Sequence, residues 1–193
     1  MKVTLLDYGA GNVQSVQFAL QRLDIEPLVT NNIEDITTAD KIIFPGVGAA
    51  NQAMSMLKKS KLDVVIPQLK QDVLGICLGM QLLCDYTEEG QTNGMGVFKT
   101  SVKQFSNDLK VPHMGWNTIS ALSSKLFNGL EEQSYMYSVH SYYASIGPET
   151  IACSTYGIAF SAALQRNNFY GVQFHPEKSG REGALILQNF LTI

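Results

Sequence analysis

The sequence predicts an α/β fold: an open, mostly parallel central sheet flanked by helices, with additional antiparallel strands. Three observations point there. Short, nearly all-apolar runs alternate with helical stretches from the N-terminus to Tyr86. Such alternation signals βαβ units, and parallel strands covered on both faces lose polar alternation. Between Gly96 and Phe174 the pattern turns to short strands, partly alternating, as in Ser101-Val102-Lys103-Gln104-Phe105. No repeat, linker or low-complexity segment interrupts the 193 residues, a length that suits one domain, 1–193.

The elements follow in order. Lys2 to Leu6 reads as a strand ended by Asp7-Tyr8-Gly9-Ala10-Gly11. Val13, Val16, Leu20 and Leu23 recur at helical spacing, so Asn12 to Leu23 reads as a helix. Pro27–Thr30 and Lys41–Phe44 are strands, the latter ended by Pro45-Gly46-Val47-Gly48. A helix carrying Ala53, Met54, Met56 and Leu57 leads to a strand at Val73–Ile76, and Leu78–Tyr86 reads as helix. The later strands are Val97–Phe105, Asn117–Ser120, Tyr135–Tyr142, Ile151–Tyr156 and Tyr170–Phe174. A terminal helix carries Ala184, Leu187 and Leu191, and Ser179 with Glu182 has capping-box spacing.

Composition narrows the function. Charged residues are 16%, against a usual ~25%. The formal net charge of −3 disfavours electrostatic nucleic-acid binding. No apolar run approaches a membrane span, and the run at Val3–Leu6 is too short for a secretory leader. The three cysteines (Cys77, Cys84, Cys153) lack C-x-x-C spacing, so neither a disulfide framework nor a zinc site is expected. A reduced, cytoplasmic protein without metal or cofactor is the expectation.

The chemistry gathers at strand ends, where open α/β sheets place their sites. Gly75-Ile76-Cys77-Leu78-Gly79 has the G-x-nucleophile-x-G form, with Cys in place of Ser. A strand enters, a helix leaves, and the glycines permit a sharp turn that lifts the thiol above the sheet. The helix N-terminus favours the thiolate, and the Leu78 N–H is free for an oxyanion. Cys84 and Cys153 read as packing residues. A thiol nucleophile needs a base, and the base an orienter. His175 ends a strand, and Glu177 lies two residues on, so in extended chain both project to one side. His113 and His140 lack such a carboxylate and rank below it. Gly46, Val47 and Gly48 can present N–H groups to an oxyanion. Gln81, one helical turn past Cys77, can reach a substrate. Gly9-Ala10-Gly11 is no dinucleotide fingerprint, because Gln14 occupies the third glycine position.

Gly75-Ile76-Cys77-Leu78-Gly79-Met80-Gln81 with Phe174-His175-Pro176-Glu177 resembles the class I, triad-type glutamine amidotransferases. The two motifs lie 98 residues apart (175 minus 77). Asp7-Tyr8-Gly9-x-Gly11-Asn12, Pro45-Gly46-Val47-Gly48, Val111-Pro112-His113-Met114-Gly115-Trp116-Asn117, Val139-His140-Ser141-Tyr142-Tyr143 and His175-Pro176-Glu177-Lys178-Ser179-Gly180 resemble, within that class, the glutaminase subunits of imidazole glycerol phosphate synthases. The resemblance implies hydrolysis of glutamine to glutamate and ammonia through a γ-glutamyl thioester. It implies ammonia passage to a (β/α)8-barrel cyclase subunit, in a heterodimer that makes imidazole glycerol phosphate and AICAR in histidine biosynthesis. It also implies that Gly48, Gln81, Ser141 and Tyr142 bind glutamine, and that Asn12, Trp116, Tyr137 and Lys178 meet the barrel. Two alternatives stay open: a glutaminase subunit for a different ammonia-dependent synthase, and a Cys-His-Glu hydrolase acting alone. The low charge would then reflect surface committed to a partner, because interface cores are depleted in charge.

Overall fold

The computed structural model describes residues 1–193. In chain order, the first half runs β1 (Val3–Leu6), α1 (Val13–Gln21), β2 (Leu28–Thr30), α2 (Ile33–Thr37), β3 (Lys41–Gly46), α3 (Ala50–Lys59), α4 (Leu62–Val65), β4 (Asp72–Cys77), α5 (Leu78–Leu83), β5 (Cys84–Thr87) and β6 (Thr92–Asn93). The second half runs β7 (Phe98–Gln104), β8 (His113–Ile119), β9 (Ser134–His140), β10 (Tyr142–Ala144), β11 (Thr150–Tyr156), β12 (Ile158–Arg166), β13 (Phe169–Val172) and α6 (Gly180–Thr192).

The main sheet has the order β2-β1-β3-β4-β13-β12-β10-β7-β5-β6, with β11 paired to β12. From β2 to β13 every neighbour is parallel. From β13 onward the added pairs are antiparallel, apart from β5 against β7. The expected parallel sheet with an antiparallel extension is therefore present. A separate two-stranded sheet, β8 with β9, pairs Trp116 with Tyr137 and His113 with His140.

Both faces of the sheet are buried, which explains the apolar strands. Along β1, Leu6 packs with α3, α4 and α5 through Leu57, Leu62 and Met80. Val3 and Leu5 pack on the other side with Val16, Leu20, Ile186 and Phe190 of α1 and α6. Each such apolar side chain contributes about 1.5–3 kcal/mol when fully buried. That burial, rather than capping, holds α1: Asn12 sits at its N-cap and makes no side-chain capping bond.

Several local expectations change. The strand read over Tyr135–Tyr142 divides at Ser141: its first part pairs with β8, and Tyr142 opens β10 in the main sheet. The helix read over Leu78–Tyr86 stops at Leu83, and Cys84 begins β5 by pairing with Phe98. Gly94 lies against the Cys84 carbonyl so tightly that no side chain would fit there. Strand β12 was hidden because Ala159, Ala162, Ala163 and Leu164 are helix formers, yet it is bonded on both sides. Helix α2 was not foreseen, although Asn32 caps it by accepting from the Glu34 and Asp35 N–H groups. Ser179 does sit at the α6 N-cap, but it makes no capping-box bond. Its hydroxyl instead donates to the His175 carbonyl and accepts from the Tyr137 N–H.

Candidate active site

Strand β4 ends in Cys77, and α5 starts at the next residue. Cys77 adopts φ 53°, ψ −110°, a conformation that L residues rarely hold. The flanking glycines explain how the turn is tolerated. A side chain on Gly75 would meet the Met80 N at 2.8 Å, and one on Gly79 would run into the Phe44 carbonyl. Gly46 proves to be a third such position, and this corrects its sequence reading. It is buried, its added Cβ would lie 2.6 Å from the Gly79 N, and it does not line the cavity. Its absent side chain lets β3 approach α5; Val47 and Gly48 are the loop residues that face the cavity. Tyr8 holds the base of this loop by donating its hydroxyl to the Pro45 carbonyl at 3.1 Å. Burial and the nearby Cys77 push the Tyr8 phenol far above its ordinary value, so it stays a neutral donor.

Strand β13 lies beside β4 with Val172 opposite Ile76, so the chain leaving β13 passes the elbow. His175 Nδ1 donates to Glu177 Oε1 at 2.8 Å, with both side chains nearly inaccessible. The contact forms by a different route than expected. His175 is extended, but Pro176–Lys178 is a 3-10 turn that curls Glu177 back under the ring. Nδ1 must carry the hydrogen, because an ionised carboxylate only accepts. His175 Nε2 is buried and makes no hydrogen bond within the chain. Burial alone would push the imidazole pKa down, yet Cys77 and Glu177 outweigh it and raise it above the ordinary histidine value.

Between these groups lies a cavity of about 280 Å³, lined by Val47, Gly48, Cys77, Leu78, Gln81 and Glu89, and by Pro112, Val139, His140, Ser141, Tyr142 and His175. The sequence-picked Val47, Gly48, Leu78, Gln81, Ser141 and Tyr142 thus surround Cys77 and His175. Glu89, Pro112, Val139 and His140 were missed as lining residues. Only His140 carried a signal, as a histidine beside Ser141. Glu89 accepts from the Ala50 N–H at 3.0 Å, and burial pushes its carboxyl up. A hollow of about 620 Å³ near Lys58 and Lys59 is larger, but no cysteine or histidine lines it.

His113 and His140 do not approach Glu177; they pair with each other, Nδ1 to Nε2, at 3.3 Å. His140 is pushed down to about 3, first by burial and further by His113 and His175, against its bond to the Tyr142 carbonyl. Cys84 is buried and Cys153 half-buried, and burial raises both thiols.

The β8–β9 sheet has two unlike faces. His113, Ile119, Met136, Ser138 and His140 are buried on one. On the other, Met114, Trp116 and Tyr135 are 64%, 55% and 60% exposed, and Tyr137 meets Trp116 edge-on with centroids 6.0 Å apart. Trp116 is therefore no core aromatic. Lys178 is exposed and Asn12 half-buried.

An elbow cysteine and a histidine–carboxylate pair, brought together at the carboxyl ends of two neighbouring interior strands, are the marks of a thiol-nucleophile enzyme class. The glutamine amidotransferase class-I family matches residues 4–193, and the chain belongs to that family. Among its relatives, the "Imidazole glycerol phosphate synthase subunit HisH" of Bacteroides fragilis is 52% identical over the whole of both chains. The protein of the same description from Pasteurella multocida is 47% identical, over 98% of this chain and 96% of its own. Among solved structures, a putative GMP synthase subunit from Thermoplasma acidophilum superposes with a TM-score of 0.75 at 20% identity, covering 100% of this chain and 92% of its own. PurLQS from Thermotoga maritima gives 0.75 at 18% identity, covering 99% and 97%. These two establish likeness of fold.

Proposed function

We propose that residues 1–193 act as one domain, the glutamine-hydrolysing subunit of an imidazole glycerol phosphate synthase, working in the cytoplasm beside a (β/α)8-barrel cyclase. The observation that carries the reading is the Cys77 elbow facing the His175–Glu177 pair across a cavity of amino-acid size. The full-length match to relatives of that description selects the synthase. A lone peptidase fits less well. At about 280 Å³ the cavity falls just below the roughly 300 to 1,000 Å³ usual for ligand pockets, a size for one amino acid rather than a length of chain. The three free cysteines suit a reducing compartment.

In this mechanism Cys77 Sγ attacks the side-chain amide carbon of glutamine, and His175 Nε2 takes the thiol proton. Glu177 fixes the ring and offsets its positive charge. The oxyanion is held by the Leu78 N–H and an N–H from Val47–Gly48. His175 returns the proton to the departing ammonia and leaves a γ-glutamyl thioester. The same imidazole then activates water to release glutamate. Gly48, Gln81, Ser141 and Tyr142 hold the substrate, and Glu89 supplies a counter-charge for its α-ammonium. Neutral ammonia moves on to the barrel, which makes imidazole glycerol phosphate and AICAR. Trp116, Tyr137, Lys178 and Asn12 meet that barrel and orient the glycine loop.

The test is co-purification with the barrel protein, followed by glutamine turnover with and without its nucleotide substrate. Turnover should rise sharply in the complex, and Cys77→Ala should abolish it while added ammonium still supports synthesis. Glutamine turnover by Cys77→Ala, or full turnover by the lone chain, would overturn the reading.

A further inference from the structure

We propose that Gln173 is a positioning residue for the Cys77 thiolate, holding an amide N–H on the sulfur in an orientation that a buried hydrogen-bond chain enforces. The inference rests on Cys77 being the nucleophile. Gln173 is 1% exposed, and its Nε2 lies 3.8 Å from Cys77 Sγ, within range for a bond to sulfur. An amide can face either way, and a carbonyl oxygen turned to the sulfur would repel a thiolate. The neighbours decide which end points there.

The fixed point is the Tyr142 carbonyl, which can only accept. It takes one bond from Gln81 Nε2 at 2.9 Å and another from His140 Nδ1 at 2.8 Å. Gln81 therefore presents its NH2 end inward. Its second hydrogen goes to Gln173 Oε1 at 2.9 Å. With Oε1 committed to Gln81, Gln173 has only its NH2 end left for Cys77. Turning Gln173 alone would set two donors against each other. Turning both glutamines would set the Gln81 oxygen against the Tyr142 oxygen.

The same logic runs outward. His140 donates through Nδ1, so its Nε2 accepts from His113 Nδ1, and His113 Nε2 accepts from Asn117 Nδ2 at 3.3 Å. Asn117 is fixed in turn, because Nδ2 also donates to the Thr155 carbonyl at 3.0 Å. Every bond from Asn117 to the Tyr142 carbonyl, and from Gln81 to the sulfur, has a single allowed direction. The titratable groups facing Sγ are His175, backed by Glu177, and the neutral Tyr8. Gln173 adds a neutral donor to the sulfur, whereas the Val139 carbonyl oxygen, 3.9 Å from Sγ, can only accept from the thiol.

The test is the pH profile of iodoacetamide alkylation at Cys77 in the full chain, followed by the mass of the Cys77 peptide. Loss of a hydrogen bond to a charged acceptor should move the Gln173→Leu profile up by about one to two pH units. Gln173→Glu turns an anion to the sulfur and should move it further than Leu does. A merely structural role would instead order the variants by their loss in Tm. If Leu does not fold, Gln173→Met, unbranched and of similar length, replaces it. An unmoved profile in a folded Leu or Met variant overturns the proposal, as does a downward shift. Cys77→Ala keeps the two readings apart: if it still turns over glutamine, the nucleophile is wrong, and if it is silent while the Gln173 profile stays fixed, only this inference fails.

Discussion

The His175 N–H donates to the Tyr137 carbonyl at 2.9 Å, tying the proposed base to the strand whose outer face carries Trp116. Ser179 spans the same junction, donating to the His175 carbonyl at 2.6 Å and accepting from the Tyr137 N–H at 2.9 Å. The side chain expected to cap a helix is thus the clip between the proposed triad and the proposed partner face.

Ser179→Ala should cut that clip. It leaves the Tyr137 N–H without its acceptor, at a cost of about 1–3 kcal/mol. We expect the partner-stimulated kcat for glutamine to fall more than KM changes. Steady-state kinetics of the complex, with unfolding curves of the lone chain, check both. A loss of stability with unchanged stimulated kcat would leave the clip a structural contact only.

Trp116→Ala should separate binding from folding. At 55% exposure its removal should change the lone chain's stability by no more than about 0.5 kcal/mol. At the centre of an interface it should weaken barrel binding by about 2 kcal/mol or more, roughly 30-fold. Titration calorimetry against the barrel subunit reads the second number. Unchanged affinity would place the interface elsewhere.

Glu177→Gln bears on pH. The His175 pKa lies above its ordinary 6.5, so the folded state binds this proton more tightly than the unfolded chain does. The resulting stability is complete below pH 6.5 and is lost as pH rises through the raised value. Removing the carboxylate lowers that value. Wild type and variant should therefore differ most in slightly acid solution, by about 1.5–3 kcal/mol for a charge-assisted bond, and converge in alkali. Unfolding at a series of pH values measures this, and a difference that grows with pH would refute the assignment.

Two glycine substitutions should fail differently. Gly79→Ala drives a Cβ into the Phe44 carbonyl and should cost about 3 kcal/mol or more, with loss of soluble protein. Gly48→Ala meets nothing within 4 Å, but Gly48 has φ +91°. It should cost about 1 kcal/mol while restricting the loop, so glutamine turnover should change far more than Tm. Equal effects from both would argue that the loop is a passive turn.

The elbow was legible because Gly75, Cys77 and Gly79 form a compact pattern, although the atoms that exclude side chains from the two glycines lie outside it, at Met80 and Phe44. His175–Glu177 was legible by spacing, although the 3-10 turn at Pro176–Lys178, rather than an extended chain, brings them together. Gly46 was misassigned because its neighbour, Gly79, lies 33 residues away (79 minus 46) and a window around the loop cannot show it. Gln173 and Glu89 stayed unseen for the same reason. Their partners come from other elements, and nothing in their own neighbourhoods distinguishes them from packing polar residues. Strand β12 was lost to propensity: its alanines prefer helix, and ladders on both sides override them.

The strand order has a consequence for a chain still being made. Strand β13 inserts between β4 and β12, although β4 precedes it by about ninety residues and β12 by only a turn. Until Phe169–Val172 has left the ribosome, β4 has an open edge and Cys77 has no His175 beside it. A nascent chain can shape the elbow early but cannot arm it. The pair that would split glutamine is assembled by the last strand to arrive, so an unfinished subunit releases no ammonia.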